Sequence, residues 1–360
     1  MNSYRFRPQT HLLEEMGLFC SEPWLPSIDA TEGMVMFVMR RRWGLLLALL
    51  IILMAFGGCA PAESPPEDVP QEAPQEDAAP EPGGITYPLE ITDDTGRTVV
   101  IPEEPQRVIS FAPSNTEILF SLGVGDRVVA VDDFSTWPPD GLEDVPNIGG
   151  VVNPNYEVIT DLEPDLVFSI GGTDEFVARL EELNIQAVVL QPADFDGIYD
   201  TILLTGDIMN VPDIAASVVA DMRAEVERVA SMVADIPESD RPTVFFEVWP
   251  DPLMTTGPDT FIGFLVRTAG GRLISEDVDG DWVEFSLETL VDRDPEVIVT
   301  TFEDTVDALD RGNRAGWGGI HAVETGEYHM VDVEIVTHPS PRIVDGLGAL
   351  ARILHPDVFE

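Results

Sequence analysis

Lysine is absent from the 360-residue chain. All 19 basic residues are arginine, against 66 Asp and Glu, which leaves a formal net charge of −47 at pH 7. Each phosphate contact needs a local cation, so this balance excludes nucleic acid and bare anionic membrane surfaces as partners. Cysteine is nearly absent too: with only two, a disulfide-stapled scaffold is excluded. Histidine is scarce, and His321, His329 and His338 have no HExxH or CxxC partner, so no metal centre is expected. Neither a P-loop nor GxSxG occurs, and the pairs Gly171-Gly172 and Gly270-Gly271 read as turns and helix ends. No catalytic residue, resident cofactor or enzymatic activity is expected. The apolar share is not low: 44% hydrophobic and 8% aromatic residues are enough for a core and argue against disorder.

Long hydrophobic runs are limited to one. Arg40-Arg41-Arg42 precede an apolar stretch from Trp43 to Phe56, followed by Gly57-Gly58-Cys59-Ala60. A spanning helix needs about twenty apolar residues, so this run is short for a permanent anchor. A basic start, an apolar middle and small residues read as an export signal. The Cys after the glycine pair resembles a lipoprotein signal, which implies lipidation at Cys59. Residues 1–33 fit neither part, and Met34, Met36 or Met39 would each begin an ordinary signal, so the start is read as over-extended. Residues 1–59 are assigned to leader and signal. Residues 60–86, rich in Pro, Glu, Asp, Gln and Ala, form an acidic tether. Charges before Cys59 cancel, so the exported chain keeps the whole −47. Most of it reads as a hydrated, salt-adapted surface.

Beyond the tether, strands alternate with helices. Strands are expected at Thr98–Pro102, Arg107–Phe111, Arg127–Val131, Asp165–Ile170 and Ala187–Leu190, then at Thr243–Val248, Glu296–Thr301 and Tyr328–Val331. Helices are expected at Thr116–Leu122, Glu175–Leu183, Thr260–Ala269 and Ile343–Leu354. Such alternation predicts parallel sheets covered on both faces. Ser114 and Glu117 have capping-box spacing, which assigns Glu117 to a helix cap. Pro212 to Ile236 is periodic in Ile214, Val218, Met222, Val226, Val229, Met232 and Val233, predicting one long helix. The two halves share a pattern: Tyr156-Glu157 runs to Pro164-Asp165, and Leu287-Glu288 to Pro295-Glu296, with Glu seven residues before Pro in both. A repeat of this kind predicts two similar lobes, at 87–211 and 238–360, with the helix 212–237 between them.

The segments Asp93-Asp94-Thr95-Gly96-Arg97, Pro105-Gln106-Arg107-Val108-Ile109-Ser110, Ala112-Pro113-Ser114-Asn115-Thr116-Glu117 and Asn153-Pro154-Asn155-Tyr156-Glu157, with Ser340-Pro341-Arg342-Ile343, occur in order along the chain. Together they resemble the helical-backbone solute-binding proteins of ABC importers, the cobalamin- and ferric-siderophore-binding family. The resemblance implies an α/β fold of two Rossmann-like lobes with parallel-type central sheets, joined by one long rigid α-helix, with the ligand cleft between the lobes. It implies a monomer that docks on an ABC permease dimer with its ATPase subunits, through one Glu per lobe, at positions matching Glu157 and Glu288. It also implies anchoring to the membrane by lipid alone.

Ligand contacts are expected from the ends of strands: Pro113, Ser114 and Asn115, then Phe134 and Trp137, then Trp249 and Met254, with Trp282 and His338. Trp282 matches a family aromatic that contacts corrin, whereas Val151 and Ile170 stand where corrin binders tend to carry Trp. The stretch Ser110–Thr136 is more like the cobalamin binders, so cobalamin or a related corrinoid is the expected ligand. A ferric siderophore or haem is the alternative. A surface lipoprotein with an adhesive or sensing role and no transporter is the alternative of another class.

Overall fold

The structure, a computed structural model, describes residues 84–359. The leader, the signal with Cys59 and the tether up to residue 83 lie outside the described residues. Among the described residues, no helix is long and apolar enough to cross a membrane.

Lobe 1 begins with a hairpin, β1 (Leu89–Thr92) and β2 (Thr98–Ile101), paired antiparallel. The carboxylate of Asp93 in its turn accepts from the amides of Thr95 and Arg97, from the Arg97 guanidinium and, at 3.2 Å, from the Val189 amide. Burial acts to raise the Asp93 carboxyl, but the hydrogen bonds from Thr95, Arg97 and Val189 outweigh it and hold the group below its ordinary value. Behind the hairpin stand β3 (Val108–Ser110), β4 (Val128–Val131), β5 (Leu166–Ile170) and β6 (Ala187–Leu190), in the order β4-β3-β5-β6 and all parallel. Their near-continuous Val, Ile and Leu runs suit strands buried on both faces.

Lobe 2 has β7 (Thr243–Pro250), β8 (Leu253–Thr256), β9 (Arg272–Leu273), β10 (Trp282–Glu284), β11 (Val297–Thr300) and β12 (Tyr328–Met330). The strands β7, β11 and β12 are parallel, as expected, and the short β9, which was not expected, joins them in parallel on β7. β8 and β10 add an antiparallel wing that the alternating reading did not contain. It arises because β7 turns straight back at Asp251-Pro252 instead of entering a helix. At the edge of this wing, Gly257 donates its amide to Asp281 O at 2.7 Å, and a Cβ at Gly257 would stand 1.9 Å from Gly280 O. Only glycine admits that approach.

The linking helix spans Pro212–Val233, 22 residues or about 33 Å at 1.5 Å per residue. Its buried stripe is Ala215, Val219, Met222, Val229 and Val233, while Ile214 and Met232 are exposed. Met222, Val229 and Val233 of the expected face are buried and Val218 and Val226 are partly buried, so the packed face differs from the expected one mainly in gaining Ala215 and Val219. This helix packs on Phe195–Ile208 of lobe 1 and Ile343–Leu354 of lobe 2, and one apolar cluster runs through all three, including Ile202, Met222 and Leu350. Phe195 and Phe264 stack across the lobes with ring centroids 4.3 Å apart.

The internal repeat is a structural module. Asn155 accepts from the Val158 amide at the start of Tyr156–Asp161, and Ser286 from the Thr289 amide at the start of Leu287–Arg293. Each helix is followed by an acidic residue in left-handed conformation, Glu163 (φ 45°) and Asp294 (φ 40°). After the proline comes a carboxylate that latches the neighbouring strand. Asp165 accepts from the amides of Gln106 (2.7 Å) and Arg107 (3.0 Å), and Glu296 from the Thr243 amide (2.8 Å).

Arginine supplies the internal clamps. The Arg107 guanidinium donates to Leu162 O, Arg127 to Pro105 O and Met209 O, Arg272 to Arg241 O, and Arg293 to Ile274 O. A forked guanidinium can hold two acceptors at once, which a single ammonium does less rigidly.

Candidate ligand-binding cleft

A cavity of about 270 Å³, open to solvent, lies between the lobes. All four parallel strands of lobe 1 reach it with their carboxyl ends. Phe111 to Ser114 follow β3, Asp132 and Phe134 follow β4, Ile170 and Gly171 end β5, and Leu190 to Ala193 follow β6. This is where open α/β sheets place ligands. From lobe 2 come Asp259 to Ile262 at the start of the helix Phe261–Thr268, Asp281 and Trp282 at β10, and Val336 to Pro339 at the end of the helix Val333–Thr337.

Of the residues expected at the ligand, the structure brings Pro113, Ser114, Phe134, Trp282 and His338 together on this cavity, and Val151 and Ile170 also line it. Asn115 lies behind the wall, buried, its amide donating to Ser169 O at 3.0 Å. Trp137 stands outside, its ring 5.0 Å beneath the Arg342 guanidinium. Trp249 and Met254 are also outside the cavity. They are register partners in the β7–β8 ladder, and the Trp249 ring packs edge-on against Phe302 at 5.6 Å. They were expected at a strand end, but β7 runs on into the antiparallel wing. Phe111 and Phe261 are aromatic walls that the sequence reading did not single out.

No arginine is among the residues lining the cavity. Its charged groups are Asp259 and Asp281, both exposed, and the buried Asp132. Burial is the main influence on Asp132 and pushes its carboxyl up, opposed by hydrogen bonds from the Ser135 hydroxyl (2.5 Å) and the Phe134 amide (3.2 Å). Ser135 continues through Thr116 to Ser110, with 2.7 Å separating each pair of hydroxyls.

Beside the cavity the lobes meet through Glu117. It does not cap its helix, contrary to expectation. The helix Pro113–Ser121 starts earlier than its capping-box spacing implied, Ala112 is the N-cap without a side-chain bond, and Glu117 faces inward, 1% exposed. Its carboxylate, from lobe 1, accepts from three lobe 2 groups: His338 Nδ1 at 2.9 Å, Arg342 Nη1 at 2.9 Å and the Ser340 hydroxyl. Arg342 also pairs with Glu334 at 3.2 Å, and Thr136 of lobe 1 donates to Glu334. The available signal was a lone charge in the otherwise uncharged stretch Pro113–Leu122, since a buried charge requires partners.

A family model described as periplasmic binding protein matches residues 108–333. The chain belongs to that family. Among periplasmic binding proteins and their relatives, it is 31% identical over 89% of its length to the whole of YvrC, an ABC transporter substrate-binding lipoprotein of Bacillus subtilis. It is 29% identical over 87% of its length to a cobalamin-binding protein of Halobacterium salinarum, covering 85% of that protein. In structure it is similar to a possible iron-binding periplasmic solute-binding protein of Staphylococcus epidermidis, at 26% identity and a TM-score of 0.63, covering 70% of this chain and 100% of that one. Members of this family are solute-binding proteins rather than enzymes.

Glu157 and Glu288 lie away from the cavity. Both are exposed and occupy the same place in the repeated module, two residues after the capping Asn155 or Ser286. Neither forms an ion pair among the described residues.

Proposed function

We propose that this periplasmic binding protein is the extracytoplasmic substrate-binding lipoprotein of an ABC importer, capturing cobalamin or a related corrinoid and delivering it to the permease. The observation that carries the ligand class is the cavity wall: aromatic and apolar, with carboxylates and no arginine. Corrin rims carry neutral amides that donate to carboxylates, whereas carboxylate siderophores and haem propionates are anions that require cations. The Halobacterium relative, a cobalamin-binding protein, supports the same choice. Lipidation at Cys59 is supported by the signal-like sequence and by the lipoprotein relative.

The test is titration of the purified protein in molar salt with cyanocobalamin, a ferric siderophore and haem. Saturable binding of cyanocobalamin is expected; binding of haem or siderophore without it would transfer the protein to iron uptake. Docking on the permease dimer and its ATPase subunits runs through Glu157 and Glu288, one carboxylate per lobe for arginine forks of the membrane subunits. The double change Glu157→Arg and Glu288→Arg is expected to leave cyanocobalamin affinity intact and to abolish uptake in cells. Undiminished uptake would overturn this role.

A further inference from the structure

His338 carries more than a place in the wall. It closes the helix Val333–Thr337 where the lobes meet, lines the cavity, and keeps 14% of its side chain exposed. Its Nδ1 lies 2.9 Å from Glu117 Oε1. That carboxylate already faces Arg342 and receives the Ser340 hydroxyl, so it acts as an acceptor and Nδ1 carries the hydrogen. In a neutral imidazole the lone pair then sits on Nε2, which makes no hydrogen bond among the described residues, on a side chain that lines the cavity. A carboxylate on one ring nitrogen fixes the ring and raises the basicity of the other, the arrangement that orients metal-ligating histidines.

No group of three His, Cys, Asp or Glu is placed to hold a metal ion among the described residues. A free cation would therefore find too few ligands here. A metal that arrives with its equatorial positions filled by a macrocycle needs only one.

We propose that His338 Nε2 is an axial ligand to the cobalt of a corrinoid held in the cleft, with Glu117 as the residue that positions it. This rests on the corrinoid reading above. The Nε2 lone pair forms a bond to Co(III), and the water bound at that position leaves as a neutral molecule. The Nδ1 hydrogen stays on the Glu117 hydrogen bond, and no oxidation state changes.

Two probes separate this inference from the reading beneath it. Aquacobalamin has an exchangeable axial water; in cyanocobalamin cyanide holds that position. The wild-type protein should bind aquacobalamin at least tenfold more tightly than cyanocobalamin, and its visible absorption should change on binding. His338→Ala should bind both equally, with the spectra of the free ligands, its folding checked by an unchanged circular dichroism spectrum. Equal affinities and an unchanged aquacobalamin spectrum in the wild-type protein would overturn axial ligation while leaving the corrinoid reading intact. A spectral change that survives His338→Ala would overturn it as well. Failure of both probes to bind would remove the ligand assignment and this inference together.

Discussion

Lobe 1 meets the cavity with the carboxyl ends of four parallel strands, whereas lobe 2 meets it with a helix start, the edge of an antiparallel wing and the end of a short helix. In lobe 2, Trp249 near the end of β7 packs against Phe302 just beyond β11. Below them Glu247 on β7 is fully buried, accepts from Thr305 at 2.5 Å and pairs with Arg314 at 2.6 Å; that guanidinium lies 3.7 Å from the Trp317 ring centre. The same repeated module thus supports two different outcomes. One sheet keeps its carboxyl edge open for a ligand, and the other fills that region with an ion pair and an antiparallel extension.

The largest expected effect tests the filled edge. Glu247→Ala leaves a largely buried Arg314 without its partner and should cost about 3–5 kcal/mol in urea unfolding, whereas replacing both by apolar residues of similar volume should be nearly neutral. A small loss for the single change would mean that this region is not closed as described. The next test concerns the repeat itself. Asp165→Ala removes a carboxylate that accepts two strand amides, and Glu296→Ala one that accepts the amide and hydroxyl of Thr243. Each should cost about 1–3 kcal/mol, and a large disparity would break the equivalence of the two modules. The smallest effect concerns the open edge. Because burial raises the folded-state value of Asp132 above that of the unfolded chain, its contribution is fully present below the unfolded value near 3.8 and is lost as pH rises through the folded one. Thermal melts of Asp132→Asn from pH 4 to 7 should lack that part of the decline.

The parallel strands were legible in the sequence because strands buried on both faces are written as unbroken apolar runs, such as Val297–Thr300. The helix Phe195–Ile208 was not, since Asp196, Gly197, Asp200 and Gly206 interrupt its apolar periodicity. Trp249 misled for a definite reason: whether a strand ends in a loop or runs into a hairpin is decided by pairing with Met254, a contact across the turn. Glu117 misled because its capping-box spacing with Ser114 survives in a helix that starts two residues earlier, at Pro113. Phe134 was legible as an aromatic just after a strand and Trp282 through the family resemblance, whereas the partners of Glu117 lie more than 220 positions away along the chain.

The arginine clamps have a consequence for alkaline solution. A guanidinium keeps its proton to above about pH 12, while a lysine in its place would begin to lose one near 10.4. The four described tyrosines do not fill that gap either. Burial pushes Tyr87 up to about 12 and also raises Tyr156 and Tyr199, and the hydrogen bond to Asp310 raises Tyr328. A phenol raised in the folded state contributes fully below its unfolded value near 10 and is lost only as pH climbs through the folded one. Below the raised phenols, the lobes therefore hold no lysine whose loss of charge could weaken these clamps. Melting temperatures at fixed salt should coincide at pH 8 and pH 9.5 and fall only beyond the phenol range. A chain that excludes lysine has taken its internal cations out of acid–base chemistry altogether.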